Sequence, residues 1–176
     1  IIGMGRLGIF QILFEWIREG RNVYVIGSGN VGFQFVHALD LMDAYMLALD
    51  KGKPGIYNVG TDRFGTLREA LENLIAHAGT DSKVKSLPEL PAINTLRLLD
   101  WLGLCPLAPW HYLTYHKAFY FDVSPLLELG WKPRYSNDEM LRESYDWFLE
   151  NYDRIAAEKA GSAHRLLLEE PVPPQV

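Results

Sequence analysis

The chain lacks several features that would set it apart from ordinary globular proteins. It has a single cysteine, Cys105, which excludes an intrachain disulfide, and we therefore expect a reducing, cytoplasmic compartment. No apolar run reaches the roughly 20 residues of a membrane-spanning helix, and no secretory leader is recognisable, so no membrane partner is expected. The net charge of −5 and the lack of a long basic run argue against nucleic acid as a partner.

The residues that are present predict one α/β domain with its own core. Hydrophobic residues make up 48% and charged residues 22% of the 176 positions, as is usual for globular proteins. Segments with helical spacing alternate with short apolar or aromatic runs that are typical of strands. We predict helices near residues 9–17, 40–51, 66–78, 90–104, 124–129 and 136–152, and strands at Asn22–Ile26, Phe33–Val36, Gly55–Gly60, Val84–Leu87 and Ala118–Phe121.

Several helix starts carry local signals. Thr66-x-x-Glu69 and Ser136-x-x-Glu139 are capping boxes, in which the two side chains satisfy each other's backbone N–H groups. We interpret Asp40 as the N-cap of the helix that begins there and runs to about Lys51, because aspartate is a preferred N-cap residue. His37 lies close to this cap, so we interpret it as a structural, hydrogen-bonding histidine rather than a catalytic one.

The motif Gly27-x-Gly29-x-x-Gly32 has the spacing of a dinucleotide-binding turn. Such a turn must lead directly into a helix whose N-terminus faces the pyrophosphate. Here Phe33–Val36 follows, which favours a strand, and Asp40 comes only later. We therefore interpret the glycines as turn formers between two strands, and we expect no cofactor-binding residue in this loop.

Three ordered blocks resemble the C-terminal portion of the extended short-chain dehydrogenases/reductases, which form the NAD-dependent epimerase/dehydratase family. Ile2–Arg6 is similar to the G-P-G-R stretch of that family, with Met4 in place of proline. Phe35–Ala44 resembles its F-V-H-V-x-D-L-x-x-A block, and Tyr57–Gly60 resembles its Y-N-V-G strand. The third block, 121–133, is similar to F-D-x-S-K-A-x-x-E-L-G-W-x-P. Together the blocks extend over residues 1 to about 152.

The resemblance implies the fold, the cofactor and a missing part. It implies a small mixed α/β substrate-binding domain over 1–158, in which 40–60 contribute a helix and a last parallel strand to a main Rossmann sheet that is absent. Residues 159–176 are expected to be a loose tail. Family members bind NAD or NADP through an N-terminal G-x-x-G-x-x-G turn and use a Tyr-x-x-x-Lys pair, and no lysine here follows a tyrosine at that spacing. We therefore expect no catalytic, cofactor-binding or metal-binding residue in this chain, and a partner in the missing N-terminal Rossmann half.

Five residues are candidates for substrate contacts. The resemblance aligns Arg6 with the G-P-G-R arginine, and a guanidinium suits phosphate or carboxylate recognition; its alternative is a solvated loop residue. Phe33 and Gln34 occupy positions where nucleotide-sugar members often carry a diphosphate-binding arginine, and Phe33 can equally fill the core. Tyr24 can be an ordinary strand residue and Lys117 an ordinary surface residue.

Two functions remain open at this level. The first is the substrate-binding part of an NAD(P)-dependent enzyme that acts on a carbinol or carbonyl carbon. Its small-molecule substrate is then a sugar nucleotide or, given Phe33, a steroid-like or other uncharged alcohol or ketone. The second function is a non-catalytic ligand-binding or interaction module, because both catalytic motifs are missing. We interpret Cys105 as a packing thiol and Trp110–Tyr115 as a segment that covers a pocket or packs on it.

The predicted strand at Ile56–Val59 leads to a testable expectation. If its ladder partner belongs to an absent half, its backbone groups lack a sheet neighbour and it presents an exposed apolar edge, through which a homodimer can also form. We expect amide hydrogens there to exchange faster than those of the helices in a verified monomer. Exchange as slow as in the helices would contradict the idea.

Overall fold

The structure is a computed structural model that describes residues 1–104, 113–114 and 117–157. Cys105, most of Trp110–Tyr115 and the predicted tail 159–176 lie outside the described residues. Within them, helices surround a small parallel sheet. The helices are α1 (Phe10–Arg18), α2 (Ala38–Lys51), α3 (Leu67–Ala78), α4 (Glu89–Trp101), α5 (Ser124–Glu128) and α6 (Asn137–Glu150), and the strands are β1 (Val23–Ile26) and β2 (Val84–Leu87). The predicted helices and these two strands are confirmed, with small shifts at their ends.

The sheet is formed by β1 and β2, which run parallel with Val23 opposite Val84. Because parallel neighbours need a long crossover, the chain passes through α2 and α3 between the two strands. The glycine loop after β1 begins this crossover. Gly27 and Gly29 both have a φ of +72°, a conformation that other residues rarely adopt. The predicted turn is therefore confirmed, but it joins β1 to an irregular segment and not to a second strand.

The main core lies between α1, α3, α6 and the sheet. Phe14 of α1 contacts Tyr145 of α6 edge-on, with ring centroids 5.4 Å apart. Fully enclosing one such side chain contributes about 1.5–3 kcal/mol, so this core dominates the stability. Its most deeply buried side chains are Phe14, Ile17, Val23, Leu71, Leu74, Met140, Leu141 and Phe148. A second cluster joins α2 to α5 through Ala44, Val123, Leu126 and Trp131.

Both capping boxes are confirmed. The Thr66 hydroxyl accepts from the Glu69 N–H at 3.1 Å, and the Glu69 carboxylate accepts from the Thr66 N–H at 2.9 Å. Ser136 and Glu139 repeat the arrangement at the start of α6. These hydrogen bonds, the backbone one first, lower the pKa of both glutamates. The carboxylate half of each cap is therefore intact at neutral pH, and its contribution is lost as the pH falls through the lowered pKa of the glutamate.

The prediction that Asp40 is the N-cap of α2 is wrong. His37 is the N-cap, since its Nδ1 accepts from the Leu39 N–H at 3.3 Å. A ring nitrogen that accepts carries no proton, so Nε2 holds the hydrogen and donates it to the Glu143 carboxylate 2.7 Å away. Asp40 stands one turn into the helix and faces inward. The structural, hydrogen-bonding role expected of His37 is confirmed, but its acidic partner comes from α6.

Asp40 instead anchors a distant loop. Its carboxylate is 1% exposed and accepts from the backbone N–H groups of Arg134 and Tyr135 at 3.1 and 3.2 Å. The Arg134 guanidinium adds a contact of 3.3 Å. A buried carboxylate that is fully hydrogen-bonded in this way fixes the segment that leads into α6.

Phe33–Val36 and Ala118–Phe121 were predicted as strands, and the structure corrects both. In the described residues they meet through one isolated parallel bridge, Phe33 with Phe119. The next ladder bond is made by a side chain, because the Phe121 N–H donates to the Gln34 side-chain oxygen at 2.9 Å. A ladder that switches from backbone to side-chain acceptors after one residue cannot continue as a regular strand pair.

The strand predicted at Gly55–Gly60 is also not formed among the described residues. A strand is defined by its ladder partner, and no described segment forms a backbone ladder with residues 55–60. Ile56 is 90% exposed, so this segment does present an apolar side chain to the outside. Within the described part of the chain, no helix is both long enough and apolar enough to cross a membrane.

The two aspartates at the start of α2 provide a stability test. Asp40→Asn replaces a buried acceptor of three N–H groups by an amide, and we expect it to lower the free energy of unfolding by about 2–3 kcal/mol. Asp43 binds the same arginine at 2.7 Å but is exposed, so Asp43→Asn should cost less than about 1 kcal/mol. Urea denaturation of both variants measures the difference, and equal losses would contradict the anchoring role of Asp40.

Candidate ligand-binding site

A cavity of about 380 Å³ lies where the two irregular extended segments meet the start of the chain. We call it the aromatic cavity. Its walls come from the first ten residues, from the segment before α2, and from the segment before α5. The lining residues are Ile1, Ile2, Leu7, Gly8, Ile9, Phe10, Phe33, Gln34, Phe35, Val36, Val59, Phe119 and Phe121.

Five phenylalanine side chains line the aromatic cavity. Phe33 lies 5.1 Å from Phe35 and 6.0 Å from Phe119, measured between ring centroids. Phe119 and Phe121 contact each other edge-on at 5.2 Å. Phe33 is only 8% exposed, whereas Phe119 and Phe121 are both 46% exposed. Phe33 is therefore mainly a core residue, and Phe119 and Phe121 offer the ring surface that a ligand can cover.

Gln34 closes the floor of the aromatic cavity. Its side-chain nitrogen donates to the Thr61 carbonyl at 2.8 Å, and its oxygen accepts from the Phe121 N–H at 2.9 Å. The approach to Gly60 is so close that a Cβ at that glycine would overlap the Gln34 amide. The amide of this predicted substrate contact is thus engaged by the backbone of the wall itself.

Asn137 supports the same wall from behind and was not singled out in the sequence. Its side chain accepts from the Phe35 N–H at 3.0 Å and donates to the Phe33 carbonyl at 2.6 Å. Phe119 and Phe121 were also missed as site residues, although their alternate spacing in a predicted strand places them on one face. The signal for Asn137 was weaker, because it is simply the residue after a helix cap.

The buried side chain of His37 lies beside the first residues of the chain. The Ile2 N–H donates to the Val36 carbonyl at 2.9 Å, which brings the first residues against His37. The His37 ring stacks on Tyr135 at 3.9 Å. Burial, aided by the charge of Glu143, raises the pKa of the Tyr135 hydroxyl. This tyrosine therefore stays protonated at neutral pH and acts here as a packing and hydrogen-bonding residue.

The other predicted site residues lie elsewhere. Arg6 is exposed in a shallow opening shared with Trp147 and Arg154. Tyr24 lines a second, smaller cavity between α1, β1 and α3, of about 140 Å³. Lys117 is exposed and is not among the described residues that line the aromatic cavity. Phe33 and Gln34 thus line the aromatic cavity, and Arg6 lies in an adjoining opening that shares Leu7 and Gly8 with it. Tyr24 and Lys117 are not among its described lining residues.

The glycine loop does not fit a cofactor pyrophosphate. It leads into the extended Phe33–Val36 segment, as predicted, and not into a helix. Its carbonyls face the nearest helix N-terminus, because Gly29 O accepts from the Arg68 N–H at 3.0 Å and Ser28 O from the Arg68 guanidinium at 2.6 Å. The Glu89 carboxylate also lies against Gly27. A phosphate here would meet carbonyl oxygens and a carboxylate rather than free N–H donors.

The fold belongs to the class of Rossmann-type epimerases and dehydratases. UDP-glucose 4-epimerase from Thermotoga maritima, solved with UDP-glucose, has a TM-score of 0.60 at 23% identity and covers 82% of this chain. UDP-glucose 4-epimerase from Thermus thermophilus, solved in complex with NAD, has a TM-score of 0.55 at 24% identity, again over 82% of this chain. This chain covers 40% of either structure. The predicted fold class is confirmed.

Sequence comparison identifies the family. Residues 7–60 match the model of the NAD-dependent epimerase/dehydratase family. The uncharacterized protein y4nG of Sinorhizobium fredii is 43% identical over 94% of this chain, and the probable UDP-arabinose 4-epimerase 3 of Arabidopsis thaliana is 30% identical over 70% of it. The chain belongs to this family and corresponds to a C-terminal portion of its members. It spans 42% and 26% of the lengths of these two relatives.

The Gln34 contacts can be tested by substitution. Gln34→Ala leaves the Phe121 N–H and the Thr61 carbonyl without their partner, and we expect it to lower the free energy of unfolding by about 2–3 kcal/mol. Gly60→Ala should also destabilise, because the new methyl group displaces the same amide. Gln11→Ala is the matched control on α1, because this half-buried glutamine makes one long hydrogen bond of 3.4 Å, to Glu15. Its expected effect is below about 1 kcal/mol. Thermal denaturation measures all three, and a neutral Gln34→Ala would show that this amide does not hold the wall.

Proposed function

We propose that this chain is the substrate-binding part of an NAD(P)-dependent epimerase, dehydratase or reductase that acts on a carbinol or carbonyl carbon. The observation that carries the proposal is the open aromatic cavity, which can hold a substrate. The glycine loop of the same chain, in contrast, is unsuited to the cofactor. The rest of the enzyme would supply the NAD(P) site and the acid–base pair, so the chain alone would not turn over substrate. This chain's own residues bind and orient the substrate and exclude water from it.

The exposed face of α2 supports a second half as partner. Leu39, Met42, Tyr45, Met46 and Leu49 line one side of this helix, and Leu49 is 82% exposed. We call these residues the α2 face. The opposite side is buried through Asp40 and Ala44. Isolated apolar residues are common on protein surfaces, but a continuous apolar stripe over three turns marks an interface.

We assign the α2 face to the cofactor-binding half. Relatives of this chain are more than twice its length, so they contain a segment large enough to cover the stripe. The α2 face continues toward Ile56, whose side chain is also exposed. Helix α2 and residues 55–60 would then join the main sheet, as the resemblance implies.

Two substrate classes are compatible with the proposal. Two of the relatives, one matched in sequence and one in structure, are named for sugar nucleotides: UDP-arabinose 4-epimerase and UDP-glucose 4-epimerase. The cavity wall of this chain, in contrast, is aromatic. The relatives support a sugar nucleotide, and the wall supports an uncharged alcohol or ketone.

A fusion protein tests whether the NAD(P) site lies in a part of the enzyme outside this chain. The part of y4nG that this chain does not match is placed ahead of Ile1, and NADH binding is followed by fluorescence in the fusion and in the 176-residue chain. We expect NADH to bind the fusion and not the chain alone. Tight NADH binding by the chain alone would contradict the proposal, and binding by neither would favour a non-catalytic module.

The same two parts, produced as separate chains, test the α2 face. Leu49→Glu places a charge in the stripe and should weaken their association by at least about tenfold. Leu90→Glu is the matched control, because Leu90 is a similarly exposed leucine on α4. Analytical ultracentrifugation measures the association. Equal effects of both substitutions would show that the α2 face is not the interface.

A further inference from the structure

Among the described residues that line the aromatic cavity, none has a charged side chain. The α-amino group of Ile1 also lies at this lining, and burial, followed by the charge of Arg6, lowers its pKa and so disfavours its charged form. Gln34 is its one polar side chain, and both ends of the Gln34 amide are already bound to Thr61 and Phe121. A nucleoside diphosphate carries at least two negative charges, and these are costly to enclose without cations or N–H donors. The wall that this chain contributes is therefore poorly suited to a diphosphate.

Three arginines of the described part have partners outside the aromatic cavity. Arg68 binds the Ser28 carbonyl and Glu72, and Arg134 binds Asp40 and Asp43. Arg63 pairs with Glu139 at 3.2 Å. Arg6 lies in the adjoining opening, which shares Leu7 and Gly8 with the aromatic cavity. Moving any of the paired guanidiniums to the aromatic cavity would break a cap or an anchor of the fold.

The second cavity extends the apolar surface. It shares Ile9 and Phe10 with the aromatic cavity, so the two cavities adjoin at these residues. Its remaining described lining is also free of charged side chains and consists of Ile12, Leu13, Trp16, Tyr24, Val25, Ile26, Leu67 and Leu71. The region around the start of α1 therefore offers ring faces and aliphatic groups to a ligand.

We propose that the ligand of this chain is an uncharged ring alcohol or ketone that stacks on Phe119 and Phe121, and not a nucleoside diphosphate sugar. The volume of about 380 Å³ is within the usual range for small-molecule sites. Covering two half-exposed phenylalanine rings removes apolar surface from water, and this drives binding without any charged partner. The inference rests on the proposed function, since it names the substrate class of the same site.

Binding to the 176-residue chain tests the inference without relying on turnover. The probes are 2-decalone, an uncharged bicyclic ketone, and UDP-glucose, each followed by amide chemical-shift changes in ¹H–¹⁵N spectra. We expect 2-decalone to shift the signals of Phe33–Val36 and Phe119–Phe121, and UDP-glucose to leave them unchanged. Binding of UDP-glucose at these residues, or of neither probe, would overturn the inference.

Two neighbouring substitutions provide the matched pair. Phe119→Arg places a cation on the half-exposed wall and should weaken 2-decalone binding by at least about tenfold. Tyr120→Arg introduces the same charge one residue on, at an exposed side chain outside the cavity lining, and should leave binding unchanged. Equal effects of the two variants would contradict stacking on Phe119.

The fusion protein separates this inference from the proposed function. If the fusion binds NADH and reduces a sugar-nucleotide ketone but not 2-decalone, the substrate class is wrong while the proposed function stands. If no NADH binds but the chain still binds 2-decalone at the aromatic cavity, the ligand class stands and the enzyme function fails.

Discussion

The backbone of Phe33–His37 crosses the middle of the molecule without belonging to a regular sheet. Its buried N–H and C=O groups must nevertheless be paired, because an unpaired group costs about 1–3 kcal/mol. Asn137 binds the N–H of Phe35 and the carbonyl of Phe33, and the side chain of Gln34 replaces a ladder neighbour. The position of the cavity wall, of α2 and of the first residues all depends on this pairing.

This arrangement explains why the cavity is aromatic. The polar side chains of Gln34 and Asn137 are hydrogen-bonded to the backbone of the wall. The surface that remains for a ligand consists of rings and aliphatic groups. Phe33 and Phe35 belong to the main core, while Phe119 and Phe121 continue it toward the outside. Core and site are therefore one continuous apolar cluster. A ligand would pack on the exposed ring faces of Phe119 and Phe121.

Helix α2 has a different character on each side. Toward the molecule it buries Asp40 and Ala44, and its N-terminus is capped by His37, whose ring is held by Glu143. Away from the molecule it presents a stripe of leucine, methionine and tyrosine. A helix that is anchored by buried polar contacts and apolar on its outer side is suited to join two parts of a larger protein.

Local chemistry was sufficient to predict much of this protein from sequence. The capping boxes at Thr66 and Ser136, the helices that follow them, the turn-forming glycines and the family resemblance all depend on residues close together in the chain. The tertiary structure alone decided that Asp40 anchors residues 134–135, that His37 pairs with Glu143, and that Gln34 meets Phe121. Those contacts join residues 87 to 106 positions apart, and local propensity contains no information about which distant groups meet. Only the packing of the helices brings these groups within hydrogen-bonding distance.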